Sequence, residues 1–567
     1  MSLAMLIIIA AAVFGLAYRF YGRFLERKFH VETGRATPAH TQNDGVDYVP
    51  TRPLILFGHH FSSIAGAGPI VGPIIAGLAF GWVPVLMWIV LGSVFIGGVH
   101  DFSSLIASVR HRARSIGQVC REYLSPGTYY LLLIFTWVAM VYVIIVFLDL
   151  TASSFVPSLD EGAEQGGAVA TASLLYIGLA VAFGLSIYRF GLSLARGSLI
   201  FVPLVFVALW VGLQLPLTAD LMPAVGGSAK NTWSLVLLGY CFLASVLPVW
   251  VLLQPRDYLS AYLLFASLAG GAIGAVAAGL TGHVTVAYPA FCGWNDAQLG
   301  LLYPTLFVTV ACGAISGFHC MVASGTTSKQ LDNEKSARPV AYGGMLTEGL
   351  LAVVALATVM VLAGKPTGGQ TPVGIFASGV GQFVAVFGLS PRVGTTFGLL
   401  AVSTFLLTTL DTCTRLARFI LEELLRLRGA AGRLLGTALT LALPAVMVFV
   451  EIPGPQGTPI PAWKAIWPAF GATNQLLGAL ALLVVYTWLR SQGRKAIYIL
   501  LPMIFMFVTT LTALAQLVRR NLFGPGSVFV GSVSLLLAVL GVAVLINALV
   551  RLRTMPAPSA TAGRAVS

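Results

Sequence analysis

The chain has 567 residues, of which 57% are hydrophobic and only 9% charged, with a mean hydropathy of +0.89. That balance excludes an ordinary soluble domain, where about 25% of residues are charged; repeated apolar runs of about 20 residues instead indicate a polytopic α-helical membrane protein. The net charge of +13 comes from basic residues in short loops between apolar runs, a placement that sets membrane orientation rather than binding nucleic acid.

The first run, Met1–Tyr18, has no basic residue before it and is followed by Arg19, Arg23, Arg27 and Lys28. This is the reverse of a cleaved signal peptide, so it reads as a retained span with its N-terminus outside. About fifteen candidate spans follow the hydrophobic pattern: 2–20, 57–80, 82–108, 128–150, 169–188, 195–214, 232–253, 257–280, 300–322, 342–363, 396–418, 434–451, 465–490, 496–517 and 524–550. With the N-terminus outside, the inward loops hold most of the arginines, from Arg19 to Lys28, Arg110 to Arg121, Lys329 to Arg338 and Arg426 to Arg433. The outward loops hold Asp160, Glu161, Glu164, Asp220, Lys230, Asp296, Lys365, Arg392, Glu451 and Lys464, with Arg519 and Arg520 as the exception. An additional span at 372–390 would place Arg426–Arg433 outside, so that Gly-rich segment is read as a surface or re-entrant helix. The C-terminus then falls in the cytoplasm.

Phe57–Gly77 is apolar yet holds His59, His60, Pro69, Pro73 and several glycines. Broken helix at membrane depth is tolerated only where it is buried in protein or lines a cavity, and intramembrane ionisable groups face such a cavity or the bundle interior. The glycines of Ala65, Gly66, Ala67, Gly68 and Pro69 let a ligand approach the backbone, and a half-helix N-terminus favours a carboxylate. Spans two to six and seven to eleven have opposite topology, the inverted-repeat plan of many secondary transporters. On that plan Cys241–Leu259 is the second interrupted helix, and Val246, Leu247 and Pro248 join the substrate site. The domains are therefore 1–56 (first helix and cytoplasmic loop), 57–214 and 215–424 (two five-helix repeats), 425–553 (accessory helices) and 554–567 (a disordered cytoplasmic tail).

Other residues in the spans can carry protons or ions. Adjacent His59 and His60 point about 100° apart on a helix, so one can face a cavity while the other bonds a neighbouring helix. His100 and Asp101 form either a charge-relay pair or an interfacial anchor, and Glu348 is a lone carboxylate that needs a partner or a proton. With His59 and His60, these are the candidates for proton coupling or gating. Ser316, His319 and Ser324 are positioned as coupling-ion ligands. Arg256 and Asp257 read as a helix end at the inner surface, Asp411 and Arg415 as an i,i+4 ion pair, and Asn474 and Gln475 as amides that join helices. The six cysteines, Cys120, Cys241, Cys292, Cys312, Cys320 and Cys413, show no CxxC or zinc spacing, so no metal, disulfide or other cofactor is expected.

The motifs GHHFSSIAGAGPIVGP, GGVHDF, SVLPVWVLLQPRDYL, SGTTSKQL, YGGMLTEGL, TLDTCTRLARFILEEL and WPAFGATNQLLGAL, in order from about Phe57 to Leu480, resemble the carbon-starvation protein A (CstA) family of bacterial inner-membrane proteins. The resemblance implies an all-α, LeuT-like five-plus-five core with additional N- and C-terminal helices, working as a secondary transporter rather than an enzyme. It implies proton-driven uptake of pyruvate during carbon starvation, or uptake of small peptides, with sodium still open as the coupling ion; oligomeric state is not implied. Two departures stand out: Ser328 replaces the proline usual after SGTT, and the chain is shorter than the family's long members. An intramembrane metal or haem protein is the remaining alternative, and the sequence has neither HxxxH nor HExxH to support it.

Overall fold

The computed structural model describes residues 2–45, 47–156, 163–217, 223–248, 250–366, 370–450, 452–453, 459–460, 462–524 and 526–554. Asp160, Glu161, Asp220, Glu451 and the tail from Met555 onward lie outside the described residues, as do the side chains of Glu164 and Lys464. The protein is an all-α polytopic membrane protein. Among the described residues, 12 helices are long and apolar enough to cross a membrane, and the bent pair Pro53–Ile64 and Gly68–Phe80 brings the number to 13.

At the centre are helices buried on most sides by other helices. Pro126–Ser154 and Pro391–Leu425 pack along one another, and Ala462–Ser491 packs against the first of them. Both start with the same device: Ser125 and Ser390 cap the first turn by accepting from the amides of Thr128 and Val393, and a proline occupies the next position. Leu194–Gln214 and Val528–Thr554 stand at the rim, with Leu199, Trp210, Val539 and Ile546 turned outward. Pro372–Val384 is a helix of 13 residues, about 20 Å long and too short to span about 30 Å of hydrocarbon.

Two expected spans differ from their sequence reading. Ala229–Val246 stops before Pro248, which lies beyond the helix end rather than in mid-membrane. Proline cannot continue a helix, and the residue before it leaves the helical region: Leu247 is extended at ψ 152°. The second interrupted helix is instead the segment from Leu302 to Gln330. It runs as Leu302–Thr309 and Ala311–Ala314, breaks at extended Ile315 and Ser316, and resumes at Gly317–Val322. The first interruption falls where expected: Pro53–Ile64 ends at Ala65, and Gly68–Phe80 departs at 48°.

The loops sort into two ends, as the charge count requires. At one end the fully buried Glu334 accepts from Arg35 Nη1 at 3.3 Å and from Arg110 Nε and Nη2, both at 3.2 Å. Arg338–Glu26 (2.8 Å) and His40–Asp332 (2.8 Å) join the same end. At the other end are Lys365–Asp296 (3.3 Å), Lys230–Asp149 (2.5 Å) and Arg520 donating to the Gln298 carbonyl (2.7 Å). Arg519 and Arg520, the exception to the charge rule, close the last turn of Ile497–Leu522, where cations suit the helix dipole. Glu334→Gln leaves Arg35 and Arg110 without their shared anion. It is expected to cost about 1–3 kcal/mol, measured as a lower melting temperature in detergent.

Candidate functional site

The two broken helices meet at their interruptions. Gly68 presses on Cys312, where a Cβ would collide with Sγ and Cβ, and Gly72 presses on the Thr309 carbonyl. Only glycine permits so close an approach. Asn474 satisfies the groups freed by the second break: its Oδ1 accepts from the Phe318 amide at 3.0 Å, and its Nδ2 donates to Ser316 Oγ at 3.0 Å. Gln475 Nε2 donates to the Phe307 carbonyl at 2.6 Å. Both amides join helices, as their sequence setting suggested. Ala65, Gly66, Ala67, Gly68 and Pro69 are all buried, and a small cavity beside them is lined by Gly66, Gly68, Phe147, Cys312, Ser316 and Asn474. Ser316 therefore shares a cavity with the first break. Val246, Leu247 and Pro248 line neither this cavity nor the larger one described below, and Leu247 and Pro248 are exposed.

A chain of buried ionisable side chains runs beside the breaks. His100 Nδ1 bonds Asp101 Oδ1 at 2.7 Å, and His319 Nδ1 bonds Asp101 Oδ2 at 2.8 Å. His319 Nε2 lies 3.1 Å from Glu348 Oε2, an ion-pair distance without an aligned hydrogen bond. All four side chains are sealed from solvent, and they come from Gly98–Arg110, Gly317–Val322 and Gly343–Met360. The sequence placed His319 with Ser316 and Ser324 as an ion-ligand set; the three do not converge. Ser316 bonds Asn474, Ser324 bonds back to the Cys320 carbonyl at 2.7 Å, and His319 completes the Asp101 chain. Among the described residues no group of three or more His, Cys, Asp or Glu is arranged to hold a metal ion.

The adjacent histidines divide as their angular separation demands. His60 is sealed, with Nδ1 2.9 Å from Thr327 Oγ1. His59 faces a larger cavity, with Nδ1 3.8 Å from Asp257 Oδ2. Asp257 belongs to a second buried ion network: Arg256 pairs with Asp411 and with Asp257 (2.5 Å), and Tyr240 bridges Arg256 (3.0 Å) and Asp411 (2.6 Å). Arg256 is completely buried at the start of Leu253–Leu280, a helix end as its sequence setting suggested, and Asp411 pairs with it rather than with Arg415.

The larger cavity is a vestibule of about 440 Å³ that opens at the end carrying Arg114, Lys329 and Glu423 and reaches inward to His59, Ser63, Asp257 and Cys320. It stops on the same helix whose break borders the small cavity. A large vestibule and a small cavity thus flank the interruption at Ala65–Ala67.

The family model described as carbon starvation protein CstA matches residues 2–367 and 365–513. The chain belongs to the CstA family. Its relatives include "Peptide transporter CstA" of Campylobacter jejuni, 32% identical over 89% of this chain and 79% of that protein. "Pyruvate/proton symporter BtsT" of Escherichia coli is 30% identical over 90% of this chain and 81% of its own length. A solved manganese transporter of Eremococcus coleocola aligns over 91% of this chain and 99% of its own, at 13% identity and a TM-score of 0.44.

In this CstA-family chain the network around Arg256 is the feature that sequence reading missed. Tyr240 and Asp411 are 171 positions apart, so no local spacing connects them. The available signal was Asp411 itself, a carboxylate inside the apolar stretch TFLLTTLDTC, which needed a cation. The glycine contact yields a direct test. Gly68→Val is expected to abolish folding or uptake by displacing Cys312, whereas Gly68→Ala combined with Cys312→Gly recovers part of the melting temperature.

Proposed function

We propose that this chain is a secondary transporter of the bacterial cytoplasmic membrane that imports a small carboxylate, pyruvate foremost, with protons. The observation that carries the reading is the buried chain His100–Asp101–His319–Glu348, which lies between a broken helix and the helices packed on it. Buried ionisable chains of this kind are how membrane carriers hold and pass protons, and imidazoles change charge within the physiological range. The relative named as a pyruvate/proton symporter supports the same coupling. The N-terminus faces outward and the C-terminus inward, because the vestibule end collects the basic loops. On that orientation the open vestibule is the cytoplasmic side of an inward-facing state.

The core is a LeuT-like pair of inverted repeats that open on the interrupted helices 53–80 and 302–330, so the second repeat begins near 302 rather than at 215; the two helices cross the membrane in opposite directions and touch at Gly68 and Cys312. Substrate occupies the space bounded by Ala65–Gly68 and Ser316, and one bundle rocks about it to alternate access. Import of small peptides is the second reading, favoured by the relatives named as peptide transporters and by a vestibule roomier than pyruvate needs.

Uptake of labelled pyruvate into liposomes under an inward proton gradient tests the proposal, with di- and tripeptides as competitors. Uptake that peptides do not inhibit supports the first reading; peptide uptake without pyruvate uptake supports the second; neither substrate moving would sink both. His60→Ala is expected to flatten the pH dependence of uptake because it removes the imidazole held by Thr327 beside the broken helix. His59→Ala is expected to shift it instead, through Asp257 at the vestibule.

A further inference from the structure

We infer that Arg415 receives the carboxylate of the transported molecule at the cytoplasmic vestibule; this deepens the transport reading above and rests on it. Arg415 lies half-buried on Pro391–Leu425 and lines the vestibule together with Thr412, Asp257 and His59. Its sequence neighbour Asp411 is committed to Arg256 and Tyr240. Among the described residues no carboxylate stands within ion-pair distance of Arg415. One terminal nitrogen, Nη2, donates to the carbonyls of Ala244 (2.7 Å) and Leu247, at the end of Ala229–Val246. Its Nε is buried with no partner. A guanidinium has five donors in a fixed plane, and two carbonyls on one nitrogen leave most of that fork for another acceptor.

Most of the other charged groups of the vestibule already have a partner. Asp257 is held by Arg256 at 2.5 Å, and Glu423 accepts from Tyr129 and from Gln118 (3.2 Å). Arg114 stands 3.7 Å from Glu122, and Lys329 lies over the Tyr48 ring at 5.6 Å. Asp47 lines the same cavity beyond ion-pair distance of Arg415. Arg415, like Lys329, has no ion-pair partner among the described residues, although Asp47 and Asp257 stand in the same cavity, and two backbone carbonyls fix its orientation. A cation desolvated without a counter-ion is costly, and the ligand that best relieves it is a carboxylate, which meets a guanidinium through two parallel hydrogen bonds. The carbonyl contacts alone would make Arg415 a helix cap, so the test must separate capping from binding.

The experiment is equilibrium binding to the purified full chain in detergent, read as the ligand-induced rise in melting temperature. The probes are pyruvate and alanyl-alanine, with pyruvamide and alanyl-alanine amide as their uncharged counterparts. The expected result is a rise with an acid and none with its amide. Arg415→Gln should weaken the acid's affinity at least tenfold, while Asp47→Asn leaves it unchanged. Arg415→Lys keeps a donor for the Ala244 and Leu247 carbonyls, so it stays folded if Arg415→Gln does not, and it too should lose affinity for want of a second hydrogen bond. Binding by Arg415→Lys at wild-type strength, equal binding of acids and amides, or no binding of either acid would each overturn the assignment. Carboxylate binding that depends on Arg415, without any proton-driven uptake in liposomes, would instead overturn the transport reading alone.

Discussion

Asp101→Asn is expected to eliminate proton-driven accumulation of substrate while leaving the protein inserted in the membrane. Asp101 uses both oxygens, one for His100 Nδ1 and one for His319 Nδ1, with no exposure to water. Asparagine offers one acceptor oxygen and a donor group in place of the other. One imidazole then faces a donor instead of an acceptor, and the anion that draws protons toward the chain is gone. Leaving a buried donor unmet costs about 1–3 kcal/mol, enough to redirect a proton without unfolding a protein of this size. The decisive comparison is net uptake against exchange in liposomes. Exchange of external for internal substrate needs no net proton movement and should persist, while gradient-driven uptake falls to background. Gradient-driven uptake at the wild-type level would remove Asp101 from coupling.

The second large effect is on stability. Arg256→Met leaves Asp257 and Asp411 buried together without the cation that both share. Removing one partner of a buried ionic network costs about 3–5 kcal/mol because the other charges stay behind. Tyr240 loses the guanidinium it bridges, and His59 loses the fixed orientation of Asp257. The expectation is a sharp fall in membrane yield and melting temperature. Replacing Arg256 and Asp411 together by leucine and methionine should recover a good part of both, since an apolar pair leaves one fewer charge unmet. If the double variant is no more stable than Arg256→Met, the pair is not a mutual neutralising unit.

The membrane class, the first break and the two-ended charge pattern were legible in the sequence because each depends on local composition or on neighbours in the chain. Pro69 and the glycines at 66 and 68 mark the first interruption on their own. The second interruption was harder. Pro248 gave the louder signal, but a proline just past a helix end looks the same in sequence as one inside a span. Ser316 and Ile315 give no such warning; their extended backbone becomes stable only because Asn474, 158 residues later, takes up the Phe318 amide and Ser316 hydroxyl. The same logic governs the ionisable residues. The sequence offered His100 and Asp101 as a pair and Glu348 as a lone carboxylate in need of a partner, yet the links from Asp101 to His319 and on to Glu348 belong to the three-dimensional packing of three helices. Arg415 and Asp411 show the converse: a helical spacing that permits a pair does not create one when Arg256 offers Asp411 a closer partner.

The buried Glu334 has a bearing on how the chain is made. Its arginine partners leave the ribosome about 300 and 224 residues earlier, so their shared anion is absent when their loops first meet the membrane, and Arg110 has only earlier partners such as the His30 carbonyl. During that interval the charge of Arg35 and Arg110 holds their side of the bilayer, and the crossings between them and Glu334 are inserted against that anchor. Glu334 then converts a provisional arrangement into a fastened one. Ribosome-bound chains that end before residue 334 should therefore leave the segment around Arg35 open to protease, and chains that end well beyond it should protect it.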